Sequence, residues 1–240
     1  FYREHLSTNN KKNNDRKGLT MPKKPFTPEE VAAQRQRIMD SASQVMAEVG
    51  FHHLSMRKLA SQLGMTASNI YNYFPNKEVL FLKTRLRGFD MFFTEMNVQM
   101  GSAMNAEQAL QQFARLLIGF AQKDPGYYQL MFQPPRLKLQ DTEHVDQELE
   151  MQLACLVEEW QRHLMTLIVD AIPAMSEQNE NRQKQLALFF TASIHGLVDT
   201  YHYRALSMLM DAVDLIPEDV VDCHIKWLLN AVTQQAESTV

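Results

Sequence analysis

The chain has 240 residues, 45% hydrophobic and 22% charged, with 8 Gly, 2 Cys and a net charge of −4. Its length allows one large domain or two small ones. It has too few turn residues for a β-sandwich or barrel, too few cysteines for a disulfide framework or zinc module, and no apolar run near the ~18 residues of a membrane span.

Residues 1–24, rich in Asn and Lys and without periodicity, read as a disordered lead-in. Met21 reads as the natural start, which makes residues 1–20 non-native. Thr27-Pro28-Glu29-Glu30 is a capping box, and the helix it opens carries Ile38, Ala42, Val45, Met46 and Val49 up to Gly50. Ser55 caps a short second helix with Met56, Leu59, Ala60 and Leu63 on one face. Thr66 caps a third, predicted to run to about Tyr73 before Pro75 stops the chain. Asn76 caps a longer fourth helix from Lys77. Further helices follow from Asn105, from Asp124-Pro125, through Leu149–Leu167 up to Pro173, through Leu186–Tyr201 and from Pro217. About nine helices and no strand make the fold all-α. Residues 25–76 form a three-helix domain and residues 77–240 a larger helical one.

Charge follows the same division. Residues 1–20 carry 5 Lys/Arg against 2 Asp/Glu, residues 21–90 carry 10 against 6, and residues 91–240 carry 9 against 20. A basic front attracts nucleic acid, and an acidic back is repelled by it. The stretch LSMRKLASQLGMTASNIYNYFPNKEVL, Leu54 to Leu80, explains the asymmetry. Two very short helices joined through Gly64 form a helix-turn-helix. Ala60 is small where the helices cross, Gly64 supplies the left-handed residue of the turn, and Ile70 plugs the space between them. A helix this short is marginal alone and needs the first helix to hold it.

With the preceding EVGF, this stretch resembles the N-terminal DNA-binding domain of TetR-family transcriptional regulators over about residues 30–85. Two later segments, FARLLIGFAQKDPGYYQLMF and SIHGLVDTYHY, resemble parts of ligand-binding domains in one subgroup of that family. The resemblance implies that Thr66 to Asn72 present a recognition helix to the major groove. Asn69 and Asn72 would offer amides to base edges, with Ser68 and the Ala67 methyl beside them. Arg57 would read guanine or grip phosphate, and Tyr71, Tyr73 and Lys77 would hold the DNA backbone. Thr66 and Ser55 read first as caps, and Phe74 as core. Residues 66–76 contain no Lys or Arg, so specificity is expected from Asn, Ser, Arg57 and DNA shape.

Aromatic and Met side chains crowd residues 89–132. For any one of them a core role is the simpler reading, but together, with the resemblance, they imply a pocket for a small apolar effector. Its candidate lining is Phe89, Phe92, Phe93, Met96, Phe113, Leu117, Phe120, Tyr128 and Met131, with Trp160 and His195 among its few polar groups. The eight His lack metal-ligand spacing, and no HExxH, phosphate loop or nucleophile elbow occurs. No metal, cofactor, catalytic residue or membrane partner is expected, and Cys155 and Cys223 are expected to be reduced in the cytoplasm. The last two helices, about 183–208 and 218–235, are apolar enough for a homodimer interface. These features predict a dimeric repressor released from double-stranded operator DNA by a small apolar ligand. The rival readings are a ligand-independent architectural or activating DNA-binding protein, and a helical enzyme or adaptor.

Overall fold

Each helix start proposed from a capping side chain is built by a local hydrogen bond. A computed structural model of the chain describes residues 26–101, 104–132, 134, 146–202 and 217–237. Thr27 Oγ1 accepts from Glu30 N at 3.2 Å, and Glu30 Oε2 accepts from Thr27 N at 2.8 Å. This box opens α1 (Pro28–Val49). Ser55 accepts from Lys58 N to open α2 (Met56–Gln62), and Thr66 accepts from Asn69 N to open α3 (Ala67–Tyr71). Asn76 Oδ1 accepts from Val79 N at 2.7 Å to open α4 (Lys77–Gln99). A second reciprocal box, Asn105 with Gln108, opens α5 (Ala106–Lys123). The remaining helices are α6 (Pro125–Phe132), α7 (Gln147–Ala171), α8 (Glu180–His202) and α9 (Pro217–Glu237). Single 3-10 turns lie at Phe51–His53 and Pro173–Met175, and there is no strand among the described residues.

The third helix ends two residues earlier than the Tyr73 expected from the sequence. Asn72 is its cap, and Tyr73 N and Phe74 N both return to Ile70 O at 3.1 Å. A proline restricts only the residue before it, here Phe74, so one further turn carries the chain from α3 to Pro75.

α1, α2, α3 and the first turns of α4 enclose one end of a core that continues into the body. Ile38, Ala42, Phe51, Leu59, Ala60, Ile70, Phe74 and Leu80 are all buried in it. The rings of Phe51 and Phe81 meet at 5.0 Å, so α4 seals the helix-turn-helix before running on into the body. In the body, α5 and α7 lie against α4, α8 lies against α5 and α7, and α9 lies against α8. The short α6 touches α1, α4 and α5, and its contact with α1 is the most extensive between any two described helices. This small domain bearing a helix-turn-helix on a larger helical body is the all-α architecture expected. The lead-in with Met21, and the continuation of the eighth helix to about residue 208, lie outside the described residues. No described helix is long and apolar enough to cross a membrane, and Cys155 and Cys223 are free and exposed.

Candidate functional site

The helix-turn-helix is held from behind by α1. Gly64 has φ +68° and follows the last turn of α2, where Met65 N bonds Ala60 O at 2.8 Å. That positive φ is cheap only for glycine. Arg37 of α1 donates to Leu63 O at 3.2 Å and closes the same helix end. Ile70 is fully buried, which turns the other face of α3 outward. Thr66, Ser68, Tyr71 and Asn72 are exposed, as is Arg57 in the first turn of α2, while Ala67, Asn69, Tyr73 and Lys77 are half-buried. Tyr71 is 45% exposed against 3% for Phe74, so the aromatic pair splits between surface and core. Lys77 Nζ sits 4.3 Å from the Phe51 ring centroid. That contact holds the ammonium at the start of α4 beside the reading face.

A second constellation joins this domain to the body. Tyr127 on α6 donates its hydroxyl to Asp40 Oδ1 on α1 at 2.7 Å and accepts from Arg87 Nε on α4 at 2.9 Å. Arg87 closes the triangle with an ion pair to Asp40 at 3.3 Å. Burial, then the Asp40 carboxylate, pushes the Tyr127 phenol well above its ordinary range, so it stays a neutral hydroxyl. Next to it, Gly126 lies so close to α1 that a Cβ would stand 2.7 Å from Ser43 O. At the other end of α6, Arg85 Nε donates to Leu130 O at 2.7 Å and Nη2 to Met131 O at 3.3 Å. Burial lowers that guanidinium to about 10. Nothing in the sequence pattern singles out Asp40, Arg85, Arg87 or Gly126. Their partners are far away in the chain, and a lone ion pair or glycine has no spacing signature. Tyr127 and Phe132 fall within the aromatic crowd but carry no separate signal.

Tyr128 points the other way. Its hydroxyl hydrogen-bonds His195 Nδ1 on α8. The effector candidates come together around this pair. Phe92 makes edge contacts with Phe113 and Phe120 at 5.7 Å each, and Phe113 meets Trp160 at 6.2 Å. Phe132 stands 5.1 Å from Trp160 and 5.0 Å from His195. Phe89, Phe92, Met96, Phe113, Leu117, Phe120, Tyr128 and Met131 are buried, and Phe93 and His195 are half-buried. Of these candidates, Phe120 alone lines either of two surface clefts on the body. One, of about 520 Å³, runs along α4 and α5 past Arg87, Met91, Val98 and Lys123, and Phe120 reaches it. The other, of about 460 Å³, lies between α4 and α7 at Phe81, Arg85, Leu153 and Glu158.

Burial lowers the His195 pKa, with the Asp199 carboxylate acting in the opposite sense. A neutral Nδ1 accepts from the Tyr128 hydroxyl and a protonated one does not. The folded state therefore favours neutral His195. Its contribution to stability is intact above about pH 6.5, the ordinary imidazole value, and is lost as pH falls towards and through the lower folded value. The melting midpoint is expected to fall between pH 7 and pH 5, with a shallower slope in His195→Asn. Identical slopes would show that His195 does not titrate with folding.

The chain matches two family models, "Bacterial regulatory proteins, tetR family" over residues 38–84 and "Tetracyclin repressor-like, C-terminal domain" over residues 110–223. Among curated proteins it is 31% identical to the fatty acid metabolism regulator protein of Bacillus subtilis over 74 residues, 31% of this chain and 38% of that one. It is 25% identical to the nucleoid occlusion factor SlmA of Salmonella paratyphi B over 112 residues, 44% of this chain and 57% of that one. The match thus spans between about two fifths and three fifths of these relatives' length. Among solved structures, the fatty acid degradation regulator FadR of Bacillus halodurans superposes with a TM-score of 0.60 at 18% identity, covering 86% of this chain and 97% of that one. AibR in complex with isovaleryl coenzyme A and operator DNA gives 0.60 at 16% identity, covering 82% and 98%. At that identity both show a shared fold.

Proposed function

Because this chain belongs to the tetR family of bacterial regulatory proteins, we propose that it is a homodimeric, sequence-specific DNA-binding repressor of the cytoplasm, released from its operator by a small, largely apolar effector. The observation that carries the reading is the α3 surface. A buried Ile70 and a capping Thr66 fix a rigid helix whose Ser68, Asn69, Tyr71 and Asn72 are turned away from the core. Asn is suited to bidentate pairing with adenine, and Arg57 and Lys77 flank the face as phosphate or guanine partners. A single head reads too few base pairs to be selective, so two are expected one helical turn or more apart. The packed α8 and α9 expose Leu188, Phe189 and Trp227, which supports a self-complementary interface there. The protein works as a regulator and not as an enzyme, and it needs no cofactor.

Release follows from the α6 junction. An effector in the aromatic core bears on Tyr128 and His195, and the neighbouring Tyr127 ties the same helix to α1 and α4. Moving α6 therefore moves the reading head and changes the spacing between the two heads, which is a population shift between two arrangements. AibR was solved with an acyl coenzyme A, and the Bacillus halodurans FadR is a fatty acid degradation regulator. Acyl compounds are accordingly the first effectors to screen.

The test is fluorescence anisotropy with duplex DNA from beside the protein's own gene, against a scrambled duplex, at low and physiological salt. A preference of ~10³ or more is expected to survive at physiological salt. Asn69→Ala should lose about 1–3 kcal/mol on the operator alone. Lys77→Ala should weaken both duplexes alike and reduce the salt slope by about one. Equal, salt-sensitive binding to both duplexes, unchanged by either variant, rejects the reading.

A further inference from the structure

The aromatic core is not an ordinary one, because a polar donor is left over inside it. Trp160 is 8% exposed, yet its Nε1–H has no acceptor among the described residues. A buried donor without a partner is rare and costly, and such a group in a native protein calls for an explanation. The ring nearest Trp160 is Phe132, the last residue of α6. Phe132 is only half-buried, yet it stands at the centre of the cluster, 5.1 Å from Trp160, 5.0 Å from His195 and 5.1 Å from Tyr128. It thus takes up apolar space beside the indole that carries the donor, and offers it no oxygen or nitrogen acceptor.

Charges of both signs border this spot. The Asp199 carboxylate bears on both Tyr128 and His195. Arg85, the guanidinium at this end of α6, donates to the Leu130 and Met131 carbonyls and lies over the face of Phe81. An anionic head group would lose its water here and find a single indole donor in its place. An uncharged acceptor would lose little water and gain the indole hydrogen bond.

We infer that Phe132 is a side-chain plug of the effector site, and that the effector is an uncharged, largely apolar molecule whose one hydrogen-bond acceptor takes the Trp160 Nε1–H as it displaces that ring. The inference rests on the effector-responsive reading above. It adds the class of head group, which is a ketone, ester, thioester or amide and not a free carboxylate. Displacing Phe132 moves the end of α6 that Arg85 holds, on the same short helix as Tyr127.

Three probes of nearly one shape separate the possibilities: acetophenone (a neutral acceptor), benzoate (an anion) and isopropylbenzene (no acceptor). Their binding to the full chain is measured by ligand-observed NMR and calorimetry. Acetophenone is expected to bind the wild-type protein, ~3–10-fold tighter than isopropylbenzene, the worth of one hydrogen bond, and tighter still than benzoate. Phe132→Ala should tighten acetophenone by about 10-fold or more, and adding Trp160→Phe should erase its advantage over isopropylbenzene. An unmodified readout guards against a misfolded variant. The chain has two tryptophans, and one indole N–H resonance should move downfield with acetophenone and not with isopropylbenzene.

The inference is overturned if the wild-type protein binds none of the three, if benzoate binds as tightly as acetophenone, or if the preference survives Trp160→Phe. A Phe132 that merely fills the core gives the first of these results, because only the cavity variant would then take up a ring. Operator binding is measured on the same samples. Its loss of selectivity would overturn the regulator reading, whereas probe failure with selective operator binding intact overturns only the plug.

Discussion

Gly126→Val is expected to lower the melting midpoint by about 2–12 °C, the effect of about 1–3 kcal/mol of overpacking in a chain of this size. A Cβ at this position would meet Ser43 O at 2.7 Å, Ser43 C at 2.8 Å and Gln44 N at 3.0 Å, all of them backbone atoms of α1. Flexible side chains give way to such an intrusion, but a helix backbone moves only as a body. Ser43 is itself buried, and the contact of α1 with α6 is the most extensive between any two described helices, so α1 cannot recede without opening that contact. Valine recovers a few tenths of a kcal/mol of helix propensity over glycine, too little to offset the clash. The damage falls on the contact between the reading domain and the body, so α3 itself should still form. Thermal melts check the size of the effect, and operator affinity checks its location. An unchanged midpoint would show that α1 and α6 separate without cost.

Tyr127→Phe is expected to uncouple the two domains while leaving each intact. The hydroxyl it removes is the only group on α6 that bonds both Asp40 of α1 and Arg87 of α4 among the described residues. The Arg87–Asp40 ion pair remains, and Asp40 is about half exposed, so water takes over part of the lost bond. The stability cost is accordingly about 1 kcal/mol. A thermodynamic cycle of Tyr127→Phe with Asp40→Asn should return a coupling of about 0.5–3 kcal/mol, and strict additivity would show that the triangle carries none. Operator affinity without effector should change little. The weakening that an effector causes, ordinarily about 5–150-fold for coupled sites, should shrink towards one.

How much of this was legible beforehand depends on the range of the forces involved. The capping residues Thr27, Ser55, Thr66, Asn76 and Asn105 each work through a hydrogen bond to an amide three residues on. A local sequence pattern therefore suffices to read them. The same holds for Gly64, whose positive φ is a property of one residue in one turn, and for Ile70, whose place between two short helices follows from its distance to Ala60 and Gly64. The third helix ends at Tyr71 and a further turn on Ile70 O runs to Phe74, an end that an apolar pattern fixes only to within one or two residues.

By itself, then, the sequence determined the order of the described helices, the helix-turn-helix and the outward face of its second helix, since all of these rest on local bonds and on periodicity. Only the tertiary structure decided what that face is connected to. Tyr127 and Tyr128 are adjacent residues of the same type, and periodicity says that they diverge by about 100° without saying what each will meet. Packing sends Tyr127 to Asp40, 87 positions away, and Tyr128 to His195, 67 positions away. It also brings Phe132 against Trp160 and leaves one indole donor buried without a protein partner among the described residues. Those contacts join segments whose only common property in the sequence is being apolar or charged. Which of them touch is decided by how the helices fill space together, and no local window contains that information.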